Sequence, residues 1–293
     1  MKKYLFPIIL SAVVIARCDY VDVPRQAGGG GPIPTSDTIR KILLEDFTGH
    51  LCTNCPDAAL LLDSIQQAFP HQVIGVAVHI GFFANTCPGS PNCPTGVPAG
   101  AFAEDFRSPE ENSYDQVFDA ISWPLPMGMV NHNGFPLNIP TPKSSWASLV
   151  GTILPQPMTA YLKINPSYNA STRQLNLGVN GLMMVDTTGT YALTIYLLED
   201  SLTGWQTDDN LANGLDSEYV FNHVLRACIN TPGSILGSTV VTGTIAAGTP
   251  FTYTLPAPYY VSTAFNDDHL RIVAYLYKTD DYGVLQAAEA ELQ

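Results

Sequence analysis

The chain has 293 residues, 46% of them apolar, which is enough hydrophobic sequence for a core in each of two domains of ordinary size. Its 26 acidic and 13 basic residues give a formal net charge of -13. A chain with this charge and no basic cluster beyond its N-terminus repels a nucleic-acid backbone, so nucleic acid is excluded as a partner.

The N-terminus has the pattern of an export signal. Lys2 and Lys3 precede an apolar segment at positions 4–16, which is shorter than the roughly 20 residues of a membrane-spanning helix. A signal that ends at a cysteine resembles that of bacterial lipoproteins, and this resemblance implies a signal at 1–18 and lipidation of Cys18. Arg17 stands where such signals have a small residue, so cleavage by ordinary signal peptidase stays open.

Residues 19–38 contain four consecutive glycines, three prolines and no apolar periodicity. This composition predicts a flexible tether, which as a Gly-rich coil would span roughly 25 Å. With a lipid on Cys18, such a tether would anchor the protein to a membrane and hold its folded part clear of the surface. The alternative is an unstructured N-terminus without a role.

The next segment alternates strands and helices. Residues 41–47 form a short apolar run suited to a buried strand, and residues 73–80 are nearly all apolar, as in a parallel strand covered on both faces. Between them, residues 56–69 carry apolar side chains at helical spacing, with Pro56 in the first turn and Pro70 at the end. Strand, helix and strand predict a right-handed crossover unit.

Three further elements complete this segment. Ser108, Pro109 and Glu111 form a helix start, and the helix should run to about position 121. Asn133-Gly134, between two short apolar runs, favours a tight hairpin turn. Residues 144–154 then predict a closing helix.

This order, with Cys52-Thr53-Asn54-Cys55 between the first strand and the first helix, resembles the thioredoxin fold over residues 39–155. Asp46 lies six residues before the first cysteine, as the buried acid of thioredoxins does, and Pro126 takes the place of their cis-proline. Pro124 and an ordinary trans bond are the alternatives, because cis is only about 5% of such bonds.

The resemblance suggests the chemistry of the cysteine pair. A cysteine at a helix N-terminus is stabilised as a thiolate by unpaired N–H groups and the helix dipole, so we expect Cys52 to be the nucleophile. Cys55 would resolve the mixed disulfide, and Asp46 would accept or relay its proton, unless that carboxylate caps a backbone amide. Leu125 and Pro126 would pair with the substrate backbone.

Several neighbours of the pair bear on its reactivity. His50, if protonated, would lower the pKa of the Cys52 thiol, although a solvent-facing turn residue is the simpler interpretation. His79 ends the second strand near the same rim, where a core or rim histidine is more common than a catalytic one. The thioredoxin pattern is not matched at Leu51, at the Thr-Asn dipeptide or at Pro56. The resemblance therefore does not fix the redox potential of the cysteine pair.

Cys87 and Cys93 enclose a small Pro-Gly loop, and a disulfide between them is the favoured interpretation, worth roughly 2 kcal/mol by the chain-entropy relation. Zinc shared with the first cysteine pair is the alternative, but this spacing is unlike a zinc knuckle and exported proteins retain disulfides, so no metal is predicted. The long loop from 84 to 107 should lie beside the cysteine turn and narrow access to it.

The remaining residues, 158–293, have a different sequence pattern. About seven β-rich runs separated by turn residues predict an all-β, immunoglobulin-like antiparallel sandwich. Cys228 is a leftover thiol, expected to be a small buried hydrophobe.

The segments LLEDFTGHLCTNCP, VAVHIG, LPMGMVNH, ALTIYLLED and YVFNHVLRA, together with Trp146, resemble the outer membrane protein 28 family. This resemblance covers nearly the whole mature chain, with His132 where the family pattern has an arginine. It implies a thioredoxin-like domain followed by a β-sandwich, in a lipoprotein on the periplasmic or extracellular face of the outer membrane or cell surface. The resemblance implies no settled activity.

Two functions follow from these features. The first is a thiol-disulfide oxidoreductase whose partners are exported proteins or peptides with thiols or disulfides. The second is a non-catalytic surface binding protein or adhesin, in which the cysteine pair is a staple. No nucleotide, haem or flavin cofactor is predicted, because the glycine run lies outside any strand-to-helix turn.

Overall fold

A computed structural model describes residues 39–137 and 139–292, so the signal, the tether and Cys18 lie outside the described residues. The chain is mostly β-sheet with few helices. The helices are α1 (Cys55–Ala68), α2 (Glu111–Phe118) and α3 (Trp146–Ile153). The strands are β1 (Ile42–Thr48), β2 (Val73–His79), β3 (Met127–Val130), β4 (Thr141–Pro142), β5 (Ala160–Asn169), β6 (Gln174–Met183), β7 (Thr187–Glu199), β8 (Leu202–Thr207), β9 (Leu215–Phe221), β10 (Val224–Cys228), β11 (Ser238–Ile245), β12 (Thr249–Thr254), β13 (Tyr259–Tyr260), β14 (Leu270–Lys278) and β15 (Val284–Glu291).

The strand–helix–strand prediction for the first segment is confirmed. β1 and β2 pair in parallel, with Ile42 opposite Val73 and Thr48 opposite His79, and every residue of both strands is buried. The continuous apolar runs arise because these strands are covered on both faces. α1 and α3 cover one face through Leu62, Val150 and their neighbours.

One open, nine-stranded sheet crosses the boundary predicted near residue 155. Its order is β15-β14-β7-β10-β2-β1-β3-β4, and β11 also pairs with β7. β10 joins the two parts, because Val224 lies opposite Ala77 of β2 and the Ala77 amide donates to the His223 carbonyl. The outer edge of β2 therefore finds its hydrogen-bond partner in the second part of the chain.

The second part contains more strands than the sequence predicted, namely the eleven from β5 to β15. β12, β6 and β13 form a second sheet with β5, and its apolar face packs on the β7 and β14 side chains of the main sheet. β8 and β9 form a separate two-stranded hairpin outside both layers.

Two local predictions were wrong in detail. The helix expected over 108–121 is shorter, since Ser108 makes no side-chain cap and Asp119 ends α2 in the left-handed region with φ 57°. The Asn133-Gly134 dipeptide does form a turn, closed by the Phe135 amide donating to the His132 carbonyl at 3.4 Å, but this turn lies within a longer loop and does not join two paired strands directly. β3 and β4 pair only through Met127 with Pro142 and Gly128 with Thr141, so ten residues separate the strands.

Candidate functional site

The cysteine turn connects β1 to α1 and covers residues 49–55. Cys52 and Cys55 form a disulfide with a Cα–Cα distance of 5.4 Å, and Cys55 is the first residue of α1. The turn is closed by hydrogen bonds from the Cys52 amide to the Gly49 carbonyl (3.0 Å) and from the Cys55 amide to the Cys52 carbonyl (3.2 Å). Gly49 is required here, because a Cβ would lie 2.5 Å from the Phe83 backbone.

Both cysteines are buried, with 3% of Cys52 and 2% of Cys55 exposed. A hairpin of the second part of the chain, residues 202–221, lies over the cysteine turn, and we call it the cover hairpin. Its Gln206 Nε2 donates to the Cys52 carbonyl at 2.9 Å, and the Asp209 amide donates to the Thr53 carbonyl at 3.1 Å. The cover hairpin therefore shields Cys52 from solvent.

His50 is fixed between the cover hairpin and the long loop, so its interpretation as a solvent-facing residue was wrong. Its carbonyl accepts from the Thr207 amide at 2.9 Å, and its ring Nε2 donates to the Asn85 carbonyl at 2.9 Å. The rings of Phe102 and Phe106 pack against it at 5.5 and 5.9 Å. Only 1% of His50 is exposed, and burial lowers its pKa, which favours the neutral form of the ring.

The loop from 84 to 107 lies beside the cysteine turn, as predicted. Its Phe102 packs with Leu51 in a small apolar cluster, and the Leu51 amide donates to the Phe83 carbonyl at 2.9 Å. Cys87 and Cys93 are bonded to each other within this loop. Among residues 39–137 and 139–292 no group of three or more His, Cys, Asp and Glu side chains is arranged to hold a metal ion.

Asp46 lies behind the disulfide. It is 2% exposed, and its Oδ1 has no hydrogen-bond partner among the described residues. Burial raises the pKa of this carboxyl from its ordinary 3.8 to about 7, against smaller opposing effects of Lys143 and His223. Asp46 and Cys55 line one cavity, so a carboxyl whose pKa is raised to about 7 faces the same space as the inner cysteine.

His79 faces the same cavity from the end of β2. It is 3% exposed, and neither ring nitrogen has a hydrogen-bond partner in the described part of the chain. The rings of Phe106 and Phe221 lie 5.2 and 5.5 Å away, and burial lowers the pKa of His79 to about 3. The imidazole is therefore neutral at any physiological pH.

The Leu125–Pro126 peptide bond is cis, at the position predicted, whereas the Trp123–Pro124 bond is trans. The next residue, Met127, pairs with Phe47 of β1. Because β1 leads directly into the cysteine turn, Pro126 lies at the same end of the sheet as that turn.

Cys228, on β10, is a free and fully buried thiol. Its Sγ lies 3.3 Å from both Asn230 Oδ1 and Thr231 Oγ1, and burial raises its pKa. These contacts agree with a small core residue.

A buried polar network that the sequence analysis missed joins the two parts of the chain. Glu45, next to Asp46 on β1, contacts His132 Nε2 at 2.6 Å and accepts from the Tyr114 hydroxyl at 2.5 Å. The Tyr114 hydroxyl lies 2.9 Å from that of Tyr196, which lies 2.9 Å from that of Tyr275. The sequence marks His132, as a departure from the arginine of the family pattern, whereas the other members look like ordinary strand or helix positions.

The class defined by this geometry is a mixed-sheet protein with a covered disulfide at a helix N-terminus. The model of the outer membrane protein Omp28 family matches residues 111–293, and the chain belongs to this family. Membership places the protein at the outer membrane or cell surface. The matched residues begin after the cysteine turn, so the family match gives no information on that site.

Two of the three solved structures compared with this chain resemble most of it. HBP35 of Porphyromonas gingivalis has 16% identity and a TM-score of 0.60, with 87% of this chain and 76% of that chain covered. A protein from Agrobacterium tumefaciens has 13% identity and a TM-score of 0.50, with 87% and 96% covered. A domain of the outer membrane lipoprotein Omp28 from Porphyromonas gingivalis has 19% identity and a TM-score of 0.29, with 46% and 88% covered. At identities of 16% and 13%, the first two similarities indicate a shared fold and give no information on function.

A search of curated protein sequences finds no match. Within the described residues, no helix is long and apolar enough to cross a membrane.

Proposed function

We propose that this outer-membrane or cell-surface protein is lipid-anchored through Cys18 and exchanges thiols and disulfides with exported proteins or peptides. In this proposal residues 39–155 are thioredoxin-like and residues 158–293 form an immunoglobulin-like sandwich. The observation that carries it is the disulfide at the start of α1, together with the carboxyl of Asp46, whose Oδ1 has no partner among the described residues and which lines the same cavity as Cys55. A disulfide that served only as a staple would not need such a carboxyl.

The reaction starts from the oxidised pair. A substrate thiolate attacks Cys52 Sγ, forms a mixed disulfide and breaks the Cys52–Cys55 bond. Cys55 leaves as a thiolate and takes the proton of Asp46, whose pKa of about 7 leaves the carboxyl partly protonated at neutral pH. A second substrate thiolate then attacks the substrate sulfur of the mixed disulfide. The substrate leaves as a disulfide, and Cys52 is released as a thiolate that the N-terminus of α1 stabilises.

The reverse sequence, started by the Cys52 thiolate, reduces a substrate disulfide and returns the proton of Cys55 to Asp46. In both directions two electrons pass between the cysteine pair and the substrate sulfurs. Because Cys52 is only 3% exposed, either direction requires the cover hairpin to move away from the cysteine turn. The Leu125–Pro126 segment, at the same end of the sheet, is then available to the substrate backbone.

Insulin reduction driven by dithiothreitol tests this function. We expect the wild-type chain to accelerate insulin precipitation over dithiothreitol alone, and Cys52→Ser to abolish the acceleration, because it removes the attacked sulfur. Cys228→Ser is the matched control, since that thiol is buried and forms no disulfide, and it should keep the wild-type rate.

Burial of both cysteines supports a second candidate, a binding scaffold in which the pair is a staple. A four-residue disulfide loop contributes roughly 2 kcal/mol by the chain-entropy relation, which is a sufficient structural role. The insulin assay separates the candidates. A wild-type rate no faster than dithiothreitol alone, together with a Cys52 thiol that titrates near its ordinary pKa of about 8.5, would favour the scaffold.

A further inference from the structure

A cavity of about 170 Å³ opens between α1 and the cover hairpin, on the side of Cys55. The ends of β1 and β2 form its floor. Ala59 and Leu62 of α1 form one wall, and Tyr219 and Phe221 of β9 form the other. The cavity exists only because the cover hairpin, which comes from the second part of the chain, lies opposite α1.

The floor of this cavity carries polar groups that nothing else in the described chain satisfies. Asp46 Oδ1 and both ring nitrogens of His79 lack hydrogen-bond partners, although both residues are at least 97% buried. Buried polar groups are almost always paired, and an unpaired group is costly. A ligand that offers a hydrogen-bond donor to the carboxyl would remove part of this cost.

The walls favour an uncharged aromatic ring. The ring centroid of Phe221 lies 5.5 Å from that of His79 and 4.7 Å from that of Tyr219, so edge and face contacts are already present on two sides. An apolar cavity of about 150 Å³ is large enough for benzene, so about 170 Å³ accommodates one such ring.

The charges and the exposed residues of the lining restrict the class of ligand further. The lining carries the imidazole of His223 as well as the carboxyl groups of Asp46 and Asp63, so no excess of one charge attracts an ion, and any charged ligand would lose hydration against the apolar side chains of the lining. Leu60 and Val220, also in the lining, are 62% and 49% exposed and offer apolar surface to an entering ligand.

We propose that this cavity binds an uncharged aromatic ring that carries a hydrogen-bond donor, such as phenol or indole, with the ring against Phe221 and the donor toward Asp46. The site goes beyond disulfide exchange and does not require the cysteines to react. A tyrosine side chain of a polypeptide and a free phenolic compound present the same chemistry.

Isothermal titration calorimetry of the oxidised chain with phenol, and with benzene as the matched ligand without a hydroxyl, tests the site. We expect saturable phenol binding about tenfold tighter than benzene binding, the effect of one hydrogen bond. Ala59→Leu should abolish phenol binding by filling the cavity. Ala68→Leu, the same substitution at an exposed position of α1, should leave it unchanged.

Competition by N-acetyltyrosinamide would identify a tyrosine side chain as an acceptable occupant, and its failure to compete would restrict the site to free phenolic compounds. Equal affinities for phenol and benzene, no saturable phenol binding, or wild-type phenol affinity in Ala59→Leu would each overturn the proposal. Because the titration uses the oxidised chain and involves no thiol chemistry, its result is independent of the insulin assay.

Discussion

At the scale of single residues, the most unusual group is Asp46. Burial destabilises the charged form of this carboxyl, and its Oδ1 has no hydrogen-bond partner among the described residues to compensate. Its pKa therefore rises to about 7. The neighbouring carboxyl, Glu45, is equally buried but has partners in His132 and Tyr114. Two adjacent acids of β1 thus point to opposite faces of the strand and meet opposite environments.

Asp46→Asn should change the stability of the protein in a pH-dependent way. Between about pH 4 and 7 the folded protein holds a proton on Asp46 that the unfolded chain releases, so wild-type stability falls as pH rises through this window. A rise of the pKa from 3.8 to about 7 corresponds to roughly 4 kcal/mol at about 1.4 kcal/mol per pH unit, as an upper limit.

Urea unfolding at pH 4 and pH 8 provides the measurement. Asp46→Asn should be more stable than wild type at pH 8 by up to that amount, and the difference should shrink toward zero near pH 4. Asp115→Asn, at a position on α2 with no such burial, is the control. A stability difference that does not vary with pH would contradict the raised pKa.

At the scale of elements, the cover hairpin decides how accessible the disulfide is. In the described part of the chain its strands pair only with each other, from Leu202 with Phe221 to Thr207 with Leu215. Its contacts with the body are with the cysteine turn, the long loop, Asp57 of α1 and His79 of β2. Ser201 and His223, which flank it, both have left-handed backbone conformations, with φ 59° and 61°. An element with so few strand partners is suited to local opening.

Gln206→Ala should speed the reaction of the disulfide with a small reductant. The substitution removes the buried hydrogen bond to the Cys52 carbonyl, worth about 1.5 kcal/mol, so the open form should become about tenfold more populated. The rate of reduction by tris(2-carboxyethyl)phosphine, followed by trapping of new thiols, measures this. Gln67→Ala, at an exposed position of α1, is the control, and equal rates in all three proteins would show that the hairpin does not limit access.

At the scale of the whole molecule, the two parts of the chain share one sheet and one buried polar network. β10 adds to the edge of β2, and the network runs from Glu45 on β1 through Tyr114 to Tyr196 on β7 and Tyr275 on β14. A buried network of this kind stabilises the fold only while every member is satisfied. The two parts are therefore expected to depend on each other for stability.

Tyr114→Phe should destabilise the whole protein by about 2 kcal/mol, because it leaves a buried Glu45 oxygen without its donor and removes one of the two hydroxyl partners of Tyr196. Urea unfolding followed by circular dichroism should show one transition shifted to lower urea. Tyr260→Phe, at a position that is 66% exposed, should leave the transition unchanged. A second, separate transition in Tyr114→Phe would argue that the parts unfold independently.

The sequence by itself determined the local order of the first segment. Strand, cysteine turn, helix and strand were predicted because a buried parallel pair needs continuous apolar runs, and helical spacing together with Pro56 marks the start of α1. The cis bond at Pro126 and the place of the long loop beside the turn also agree with the prediction. These features depend on residues close together in sequence, or on a pattern that a known fold shares.

Only the tertiary structure decided that the cysteine turn is covered. Gln206 donates to a carbonyl 154 residues away in the sequence. His50 is shielded from water by Thr207 and Phe102. No periodicity encodes such pairs, because a glutamine or a histidine in a turn looks the same whether or not a distant hairpin folds over it. The partner of the β2 edge could not be predicted from the sequence either. β10 pairs there because of how the whole sheet assembles, which the sequence of neither strand specifies by itself.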